Sequence, residues 1–339
     1  MESTSIHNDD VEQPSQAADG EGRRKRSRRV DEVPAESHAV LTTSEVLRLR
    51  VSDLTKPPQF RVGSDEMYRR FPDGYDLLMR CHDCTSIGHA LLLILSTMPK
   101  SSVRLLDLGC GTGRIACLVA QHPSIRHLSC YDKHEAMLRR SAVNLEAAFA
   151  ASKRPNRYVD DATSDVPSLH DDSGGLVTVC LRPFSFEHVV SGSLRRDIQY
   201  NIVTAAWAMS YIMRKQWDGG RWHAELDATI AEMRAAIDRR SDAYILIVET
   251  LGTGCTSPKR NSHLAERLIN VHNFTQTSVR TDYHFPSVEE GRRLCQFFFG
   301  PAMAGLDAVD LPECTGIYTL LVPRQELPPC CATTADHRD

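Results

Sequence analysis

The chain has 339 residues, enough for one large domain or two small ones with an ample core. Its hydrophobic and charged fractions, 41% and 25%, are ordinary for a globular protein. The formal net charge of −4 excludes the strongly basic overall field that points to a nucleic-acid-binding protein.

Three further features predict the compartment. The longest apolar run, residues 90–95, is far too short to span a bilayer. The N-terminus is polar and acidic, without the apolar region of a signal peptide or the acid-poor composition of a transit peptide. The 11 cysteines are scattered and odd in number, which is typical of reduced thiols. We therefore predict an intracellular protein, cytoplasmic, nuclear or both, with no membrane partner.

Both ends of the chain are predicted to be tails. Residues 1–40 contain no leucine and no aromatic residue, so they cannot bury enough apolar surface to offset the entropy of ordering. The basic run 23–29 within them fits a nuclear-import or RNA-contacting patch, and it fits equally a solvated tail with no address. Residues 326–339 are predicted to be a loose C-terminal tail.

The one C-x-x-C motif, from Cys81 to Cys84, is a candidate metal or redox site. A zinc site needs a second cysteine pair or a histidine tandem at ligand spacing, and none follows. We therefore predict no metal site.

Between the tails, strand-like and helix-like segments alternate, which favours a doubly wound, parallel α/β sheet over 101–325. A helical segment over 41–100 precedes it, in which Tyr68, Phe71 and Tyr75 are either a lid or ordinary helix packing. The predicted strands are 103–108, 127–132, 157–159, 200–206, 243–248, 278–285 and 316–322. The predicted helices are 113–120, one with an apolar face from 138 to 149, 222–237, one beginning near 262, and 287–299.

The segment 164–199 is longer than a connection between the third and fourth strands should be. They contain a strand-like run of their own, 176–181, followed by the apolar Phe184-Ser185-Phe186. We interpret this segment as an insertion at the edge of the sheet, in the form of a hairpin. Its role, structural or as part of the substrate site, is left open.

A glycine-rich turn follows the first strand, with Gly109, Gly111 and Gly113 at every second position. Glycine permits positive φ and lets the backbone approach a ligand that a Cβ atom would exclude. The spacing is G-x-G-x-G, not the G-x-G-x-x-G that seats a dinucleotide pyrophosphate. A glycine turn alone also fits a plain strand–turn–helix. With Asp107 in front and Cys110 inside it, however, this stretch resembles motif I of the class I S-adenosylmethionine (SAM) methyltransferases, typically (V/L)LD(L/V)GCGTG.

The resemblance implies a seven-stranded, mostly parallel sheet that ends in an antiparallel pair, and SAM as the cofactor. It implies that Asp107 orients the methionine portion and that Asp132, at the end of the second strand, accepts hydrogen bonds from the ribose hydroxyls. The alternative for Asp132 is an exposed residue that caps the next helix. Asp161 and Ala162 resemble the residues that meet the adenine, with Asp160 equally well placed. The implied cofactor residues are Asp107, Gly109, Cys110, Gly111, Gly113, Asp132, Asp161 and Ala162.

The ends of the later strands are where relatives place the acceptor. Trp207 and Tyr211 follow the fourth strand, Glu249 ends the fifth and Tyr283 lies in the sixth, so these four are candidate acceptor residues, each of which could instead pack the fold. Methyl transfer from a sulfonium needs proximity and alignment above all, so no catalytic residue is predicted. The stretches 249–254 and 281–283 resemble a subgroup of methyltransferases with no assigned acceptor.

Three functions remain in competition. The first is a SAM-dependent methyltransferase with a small-molecule acceptor, which the neutral-to-acidic core favours. The second is an RNA or protein methyltransferase recruited through the basic run 23–29. The third is a non-catalytic partner subunit with a SAM fold, against which the intact glycine loop and Asp132 speak. The acceptor atom and the oligomeric state are not predicted.

Overall fold

The computed structural model describes residues 64–98, 102–159, 175–192, 194, 198–216, 221–259 and 262–325. The predicted tails 1–40 and 326–339 and the predicted adenine-contacting residues Asp161 and Ala162 lie outside these ranges.

Helices and strands alternate along most of the described chain. The helices are α1 (Ser64–Arg70), α2 (Pro72–Arg80), α3 (Thr85–Thr97), α4 (Arg114–Ala120), α5 (Glu135–Ser152), α6 (Phe186–Val190), α7 (Ser210–Gln216), α8 (Trp222–Ala235), α9 (His263–Asn270) and α10 (Val288–Phe299), followed by a 3₁₀ turn (Pro301–Gly305). The strands are β1 (Val103–Leu108), β2 (Ile125–Asp132), β3 (Asn156–Tyr158), β4 (Val177–Pro183), β5 (Ile202–Ala206), β6 (Ala243–Thr253), β7 (Thr275–Arg280), β8 (Tyr283–His284), β9 (Asp310–Leu311) and β10 (Glu313–Val322).

Eight of the described strands form one sheet in the order β3-β4-β2-β1-β5-β6-β10-β7. The pairs from β3 to β6 are parallel, whereas β10 lies antiparallel between β6 and β7. This arrangement confirms the predicted fold class, a doubly wound and mostly parallel sheet with a late antiparallel pair. The sheet has one strand more than the seven that the resemblance implies.

The extra strand comes from the segment that we interpreted as an insertion with an edge hairpin. Its apolar run instead forms β4, which lies inside the sheet and pairs in parallel with β2 on one side and β3 on the other. The physical reason is burial: all five residues from Val177 to Leu181 are buried, so both faces of β4 need cover. The predicted third strand is only half-buried and forms the edge as β3.

Helices cover both faces of the sheet. Neighbouring residues of β1 point to opposite sides, so Leu105 belongs to the apolar core under α3, α4 and α5, and Leu106 to the core under α8. Leu226 and Ile230 of α8 are fully buried in this second core, as their helical spacing predicts. Among the described residues, no helix has the length and apolar character needed to cross a membrane.

Serine residues cap two of the predicted helix starts. The Oγ atoms of Ser262 and Ser287 accept hydrogen bonds from the backbone N–H of Ala265 and Glu290, both at 3.2 Å. The predicted sixth strand, 278–285, divides into β7 and the short β8, which pairs with β9 in a separate two-stranded sheet.

Candidate active site

A cavity of about 510 Å³ lies at the carboxyl ends of β1, β2, β4 and β5. Parallel sheets bind ligands at this end of their strands, and the volume is typical of a small-molecule site. Helices α1 and α2 supply further wall residues, among them Tyr68 and Tyr75. Both belong to the segment 41–100, whose aromatic residues the sequence assigns either to a lid or to ordinary helix packing. In the structure both tyrosines line the cavity.

The glycine loop forms the floor of the cavity, and its three glycines all have positive φ, +70°, +55° and +81°. A Cβ atom on Gly109 would lie 2.6 Å from the Cβ of Ala208, and one on Gly113 would lie 2.4 Å from the Oγ of Ser141. These two glycines are therefore required by packing. Beside Gly111 the space is open, with the nearest atom, on Tyr75, at 3.9 Å, so a ligand can approach the backbone there.

Asp132 ends β2, lines the cavity and is buried, which rules out an exposed capping residue. Its Oδ2 accepts a hydrogen bond from the Gly111 N–H at 2.9 Å, and its Oδ1 accepts one from the His134 N–H at 2.8 Å. Burial raises the pKa of this carboxyl, while the two backbone hydrogen bonds act in the opposite direction. A carboxylate offers about four acceptor positions, so Asp132 can also accept from ribose hydroxyls.

Asp107 lies just beneath the floor and is almost fully buried. Its Oδ1 accepts a hydrogen bond from the Thr204 hydroxyl at 2.7 Å, whereas its buried Oδ2 has no hydrogen-bond partner among the described residues. Burial raises the pKa of Asp107 to about 7. A buried acceptor without a donor is costly, and a ligand ammonium would supply both the donor and an opposite charge. The residues present therefore fit the methionine portion of SAM.

The neighbour of β2 is β4, so the residues that follow β4 reach the cavity beside Asp132. Phe184, Ser185, Phe186 and Glu187 all line it, and the Phe184 N–H donates to the Asp132 carbonyl at 2.8 Å. The sequence left open whether this segment contributes to the site, and none of these four residues was predicted as a site residue. The signal was the apolar Phe184–Phe186 stretch directly after a strand-like run.

Two of the four candidate acceptor residues, Trp207 and Tyr211, line the cavity. Trp207 has a φ of +52°, a conformation that bulky residues adopt rarely and that is concentrated at functional sites. Its indole Nε1–H is buried and has no acceptor among the described residues, which leaves a donor for a bound molecule. The Tyr211 hydroxyl forms a hydrogen bond with the Tyr68 hydroxyl, so α1 and α7 meet across the cavity.

The other two candidates, Glu249 and Tyr283, lie behind the wall. The Oε1 of Glu249 accepts a hydrogen bond from the Ser210 N–H at 2.9 Å and so holds the start of α7. The Tyr283 ring stacks on the ring of His82, with centroids 4.3 Å apart. Both side chains are buried, and neither belongs to the cavity wall.

The C-x-x-C motif is also next to this region. The Sγ of Cys84 accepts a hydrogen bond from the Arg114 guanidinium. Within the described ranges, no group of three or more histidine, cysteine or acidic residues could hold a metal ion.

One family model matches part of the chain. Residues 81–172, which include the glycine loop and Asp132, match the family model of the methyltransferase small domain. No curated protein matches the sequence.

Solved structures of similar fold share little sequence with the chain. A putative methyltransferase from Bacillus halodurans is 11% identical at a TM-score of 0.37, covering 69% of this chain and 98% of its own. Magnesium protoporphyrin IX methyltransferase from Synechocystis, with bound SAM, is 12% identical at a TM-score of 0.33, and the match covers 68% of this chain and 80% of that one. An rRNA methylase from Streptococcus thermophilus is 11% identical at a TM-score of 0.34, and the match covers 68% of this chain and 93% of that one.

Proposed function

We propose that this chain, a class I SAM-dependent methyltransferase, transfers the methyl group of SAM to a small-molecule acceptor. The enzyme class and the cofactor that the glycine loop predicts are confirmed by the family match over 81–172. The acceptor class is the proposal, and the observation that carries it is the cavity of about 510 Å³ with α1 lying across it.

Helix α1 is attached to both sides of the cavity. Asp65 forms an ion pair with Lys133 at 2.8 Å, beside the end of β2, and Tyr68 is hydrogen-bonded to Tyr211 beside the end of β5. A small acceptor fits beneath this helix, whereas a folded RNA or protein would first have to displace it. The described wall residues also favour an uncharged or cationic acceptor over a polyphosphate, because four of them are acidic and one is lysine.

The residues of the cavity have separable tasks in the reaction. When bound, SAM supplies a methyl group activated by its sulfonium. Gly111 leaves room for its approach, Asp132 accepts hydrogen bonds from its ribose, and Asp107 balances its ammonium charge. The aromatic walls exclude water and orient the acceptor for in-line attack, which is sufficient catalysis when the acceptor atom carries a free lone pair.

The test is a methylation assay with radiolabelled SAM on a cell extract separated into dialysable, RNA and protein fractions. We expect label in the dialysable fraction with the wild-type protein and none with Gly111→Arg, whose side chain would fill the space beside the floor. Label confined to the RNA or the protein fraction would contradict the proposal.

The basic run 23–29 favours a second candidate, an RNA or protein methyltransferase brought to its substrate by this segment. The same run supports a location in the nucleus as well as the cytoplasm. If this second function is correct, replacing its arginine and lysine residues by alanine abolishes labelling of the macromolecular fraction. SAM binding by the same variant remains unchanged.

A further inference from the structure

We propose that Arg114 binds the carboxylate of the cofactor's methionine portion, and that His82 and Glu313 hold its guanidinium in place. The inference rests on the proposed function, since it requires SAM in the cavity. Neither the glycine-loop motif nor the match to the methyltransferase family assigns a residue to this carboxylate.

The first observation is a positive charge without a counter-ion. Arg114 is half-buried, and no carboxylate of the described residues lies within ion-pair distance of its guanidinium. Its acceptors are neutral: the Sδ of Met79 at 3.0 Å, the Nδ1 of His82 at 3.0 Å, the carbonyl of His82 at 3.4 Å and the Sγ of Cys84. Sulfur is a weak acceptor, and the Nε of Arg114 donates to none of the described residues. A partly desolvated guanidinium in such surroundings favours binding of an anion.

The second observation is where this charge lies. Arg114 directly follows Gly113, the last glycine of the loop, and its guanidinium lies over the Trp207 ring at 4.6 Å from the centroid. Its charge also acts on the Tyr75 hydroxyl, partly offsetting the rise in pKa that burial causes there. Trp207, Tyr75 and the adjacent Gly111 all line the cavity, whereas Arg114 itself is not part of its wall. Arg114 therefore lies next to the wall, at the end of the glycine loop and against the Trp207 ring.

The third observation explains how the guanidinium is oriented without being neutralised. The Nδ1 of His82 accepts from Arg114, so the proton of the neutral ring is on Nε2, which faces the Oε1 of Glu313 at 3.3 Å. This contact is close enough for attraction but is not aligned as a hydrogen bond. Burial lowers the pKa of His82 and keeps the ring neutral. The imidazole thus separates the negative charge of Glu313 from the positive charge of Arg114.

The residues behind His82 fix this arrangement. Glu313 accepts hydrogen bonds from the hydroxyls of Thr250 at 3.1 Å and Thr253 at 2.8 Å, and the ring of Tyr283 stacks on His82. Thr250, Thr253 and Tyr283 belong to the stretches 249–254 and 281–283. The sequence singles out these stretches, and none of their residues lines the cavity. Their common effect is to hold His82, and through it Arg114.

Asp107 and Arg114 together complement an amino-acid zwitterion. Asp107 has a buried oxygen that lacks a donor, and Arg114 has a charge that lacks an anion. The methionine portion of SAM carries one ammonium and one carboxylate. Bound at this end of β1, it would satisfy both residues at once.

The test compares two ligands that differ only in this carboxylate, SAM and decarboxylated SAM, by calorimetry. We expect the wild-type protein to prefer SAM by about tenfold or more, because hydrogen bonds between charged groups are the strong ones. In Arg114→Met the preference should fall to within about twofold, through a loss of SAM affinity with decarboxylated SAM unaffected. Arg114→Lys, which retains the charge, should keep part of the preference. The matched control is Arg104→Met, near the opposite end of β1, where Arg104 pairs with Asp238. It should keep the full preference.

Two outcomes would overturn the role of Arg114 and leave the cofactor assignment intact. One is equal wild-type affinities for the two ligands. The other is an unchanged preference in Arg114→Met; if both affinities fall in proportion, Arg114 has a structural role. A wild-type protein that binds neither ligand would overturn the cofactor assignment and this inference with it.

Discussion

Replacing Asp107 by asparagine removes a carboxyl that the fold has buried beneath the cavity floor. Asparagine has nearly the same shape, and its Oδ1 can accept the hydrogen bond that the Thr204 hydroxyl now donates at 2.7 Å. What changes is the ionisable group, whose pKa burial raises from 3.8 to about 7. The substitution therefore isolates the electrostatic role of this side chain.

The expected effect on stability follows from the direction of that shift. Because the folded-state pKa lies above the unfolded value, the folded protein keeps a proton that the unfolded chain releases. The resulting stability is fully present below the unfolded pKa of 3.8 and is lost as the pH rises through about 7. The difference is about three pH units, or ~4 kcal/mol. Asp107→Asn should thus match the wild-type protein at about pH 4 and be more stable by up to ~4 kcal/mol at about pH 8.

The assay is urea unfolding of both proteins across this pH range, because the difference between them cancels the titration of other groups. In the same variant we expect SAM affinity to fall by about tenfold, since the carboxylate partner of the ammonium is lost. A stability difference between the two proteins that stays constant with pH would refute the raised pKa of Asp107. Unchanged SAM affinity would refute its role toward the ammonium.

The other predictions concern the cofactor site, the contact between His82 and Arg114, and the N-terminus. Asp132→Ala should weaken SAM binding by about one to two decades in calorimetry, because it removes the acceptor for the ribose hydroxyls. Gly111→Arg should abolish SAM binding by calorimetry while the protein remains folded by circular dichroism. His82→Leu should reduce the preference for SAM over decarboxylated SAM, because Arg114 loses its orienting acceptor. Deletion of residues 1–40 should leave the melting temperature and SAM affinity unchanged. Alanine at the basic positions of 23–29 should move a fluorescent fusion out of the nucleus.

Each of these has an outcome that contradicts it. Wild-type affinity in Asp132→Ala would mean that the ribose lies elsewhere, and binding by Gly111→Arg would mean that the floor is not the cofactor path. A full SAM preference in His82→Leu would mean that His82 does not orient Arg114. Loss of SAM binding on deletion of 1–40 would show that the tail takes part in the site, and an unaltered distribution of the fusion would leave 23–29 a solvated tail.

Local sequence was sufficient wherever a few consecutive residues decide the structure. The glycine loop needs positive φ at alternate positions, and only glycine adopts it at little cost, so Gly109, Gly111 and Gly113 identify the turn and its cofactor. Asp132 was predictable because the end of β2 is fixed by a short buried run beside that loop. The caps at Ser262 and Ser287 are decided within one helical turn.

Only the tertiary structure decided which strands are neighbours and which distant side chains meet. The run 176–181 has the same apolar pattern at an edge or inside a sheet, and its place beside β2, which brings Phe184 to the cavity, depends on packing across the whole sheet. The sequence predicts Glu249 at the end of a strand and Tyr283 near the end of another, where acceptor residues lie. In the structure Glu249 lies within β6 and holds the start of α7, and Tyr283 begins β8 and stacks on His82. His82, Arg114 and Glu313 are separated by tens to hundreds of residues. The contact between His82 and Glu313 forms because β10 returns antiparallel to β6, a long-range pairing that no local pattern encodes.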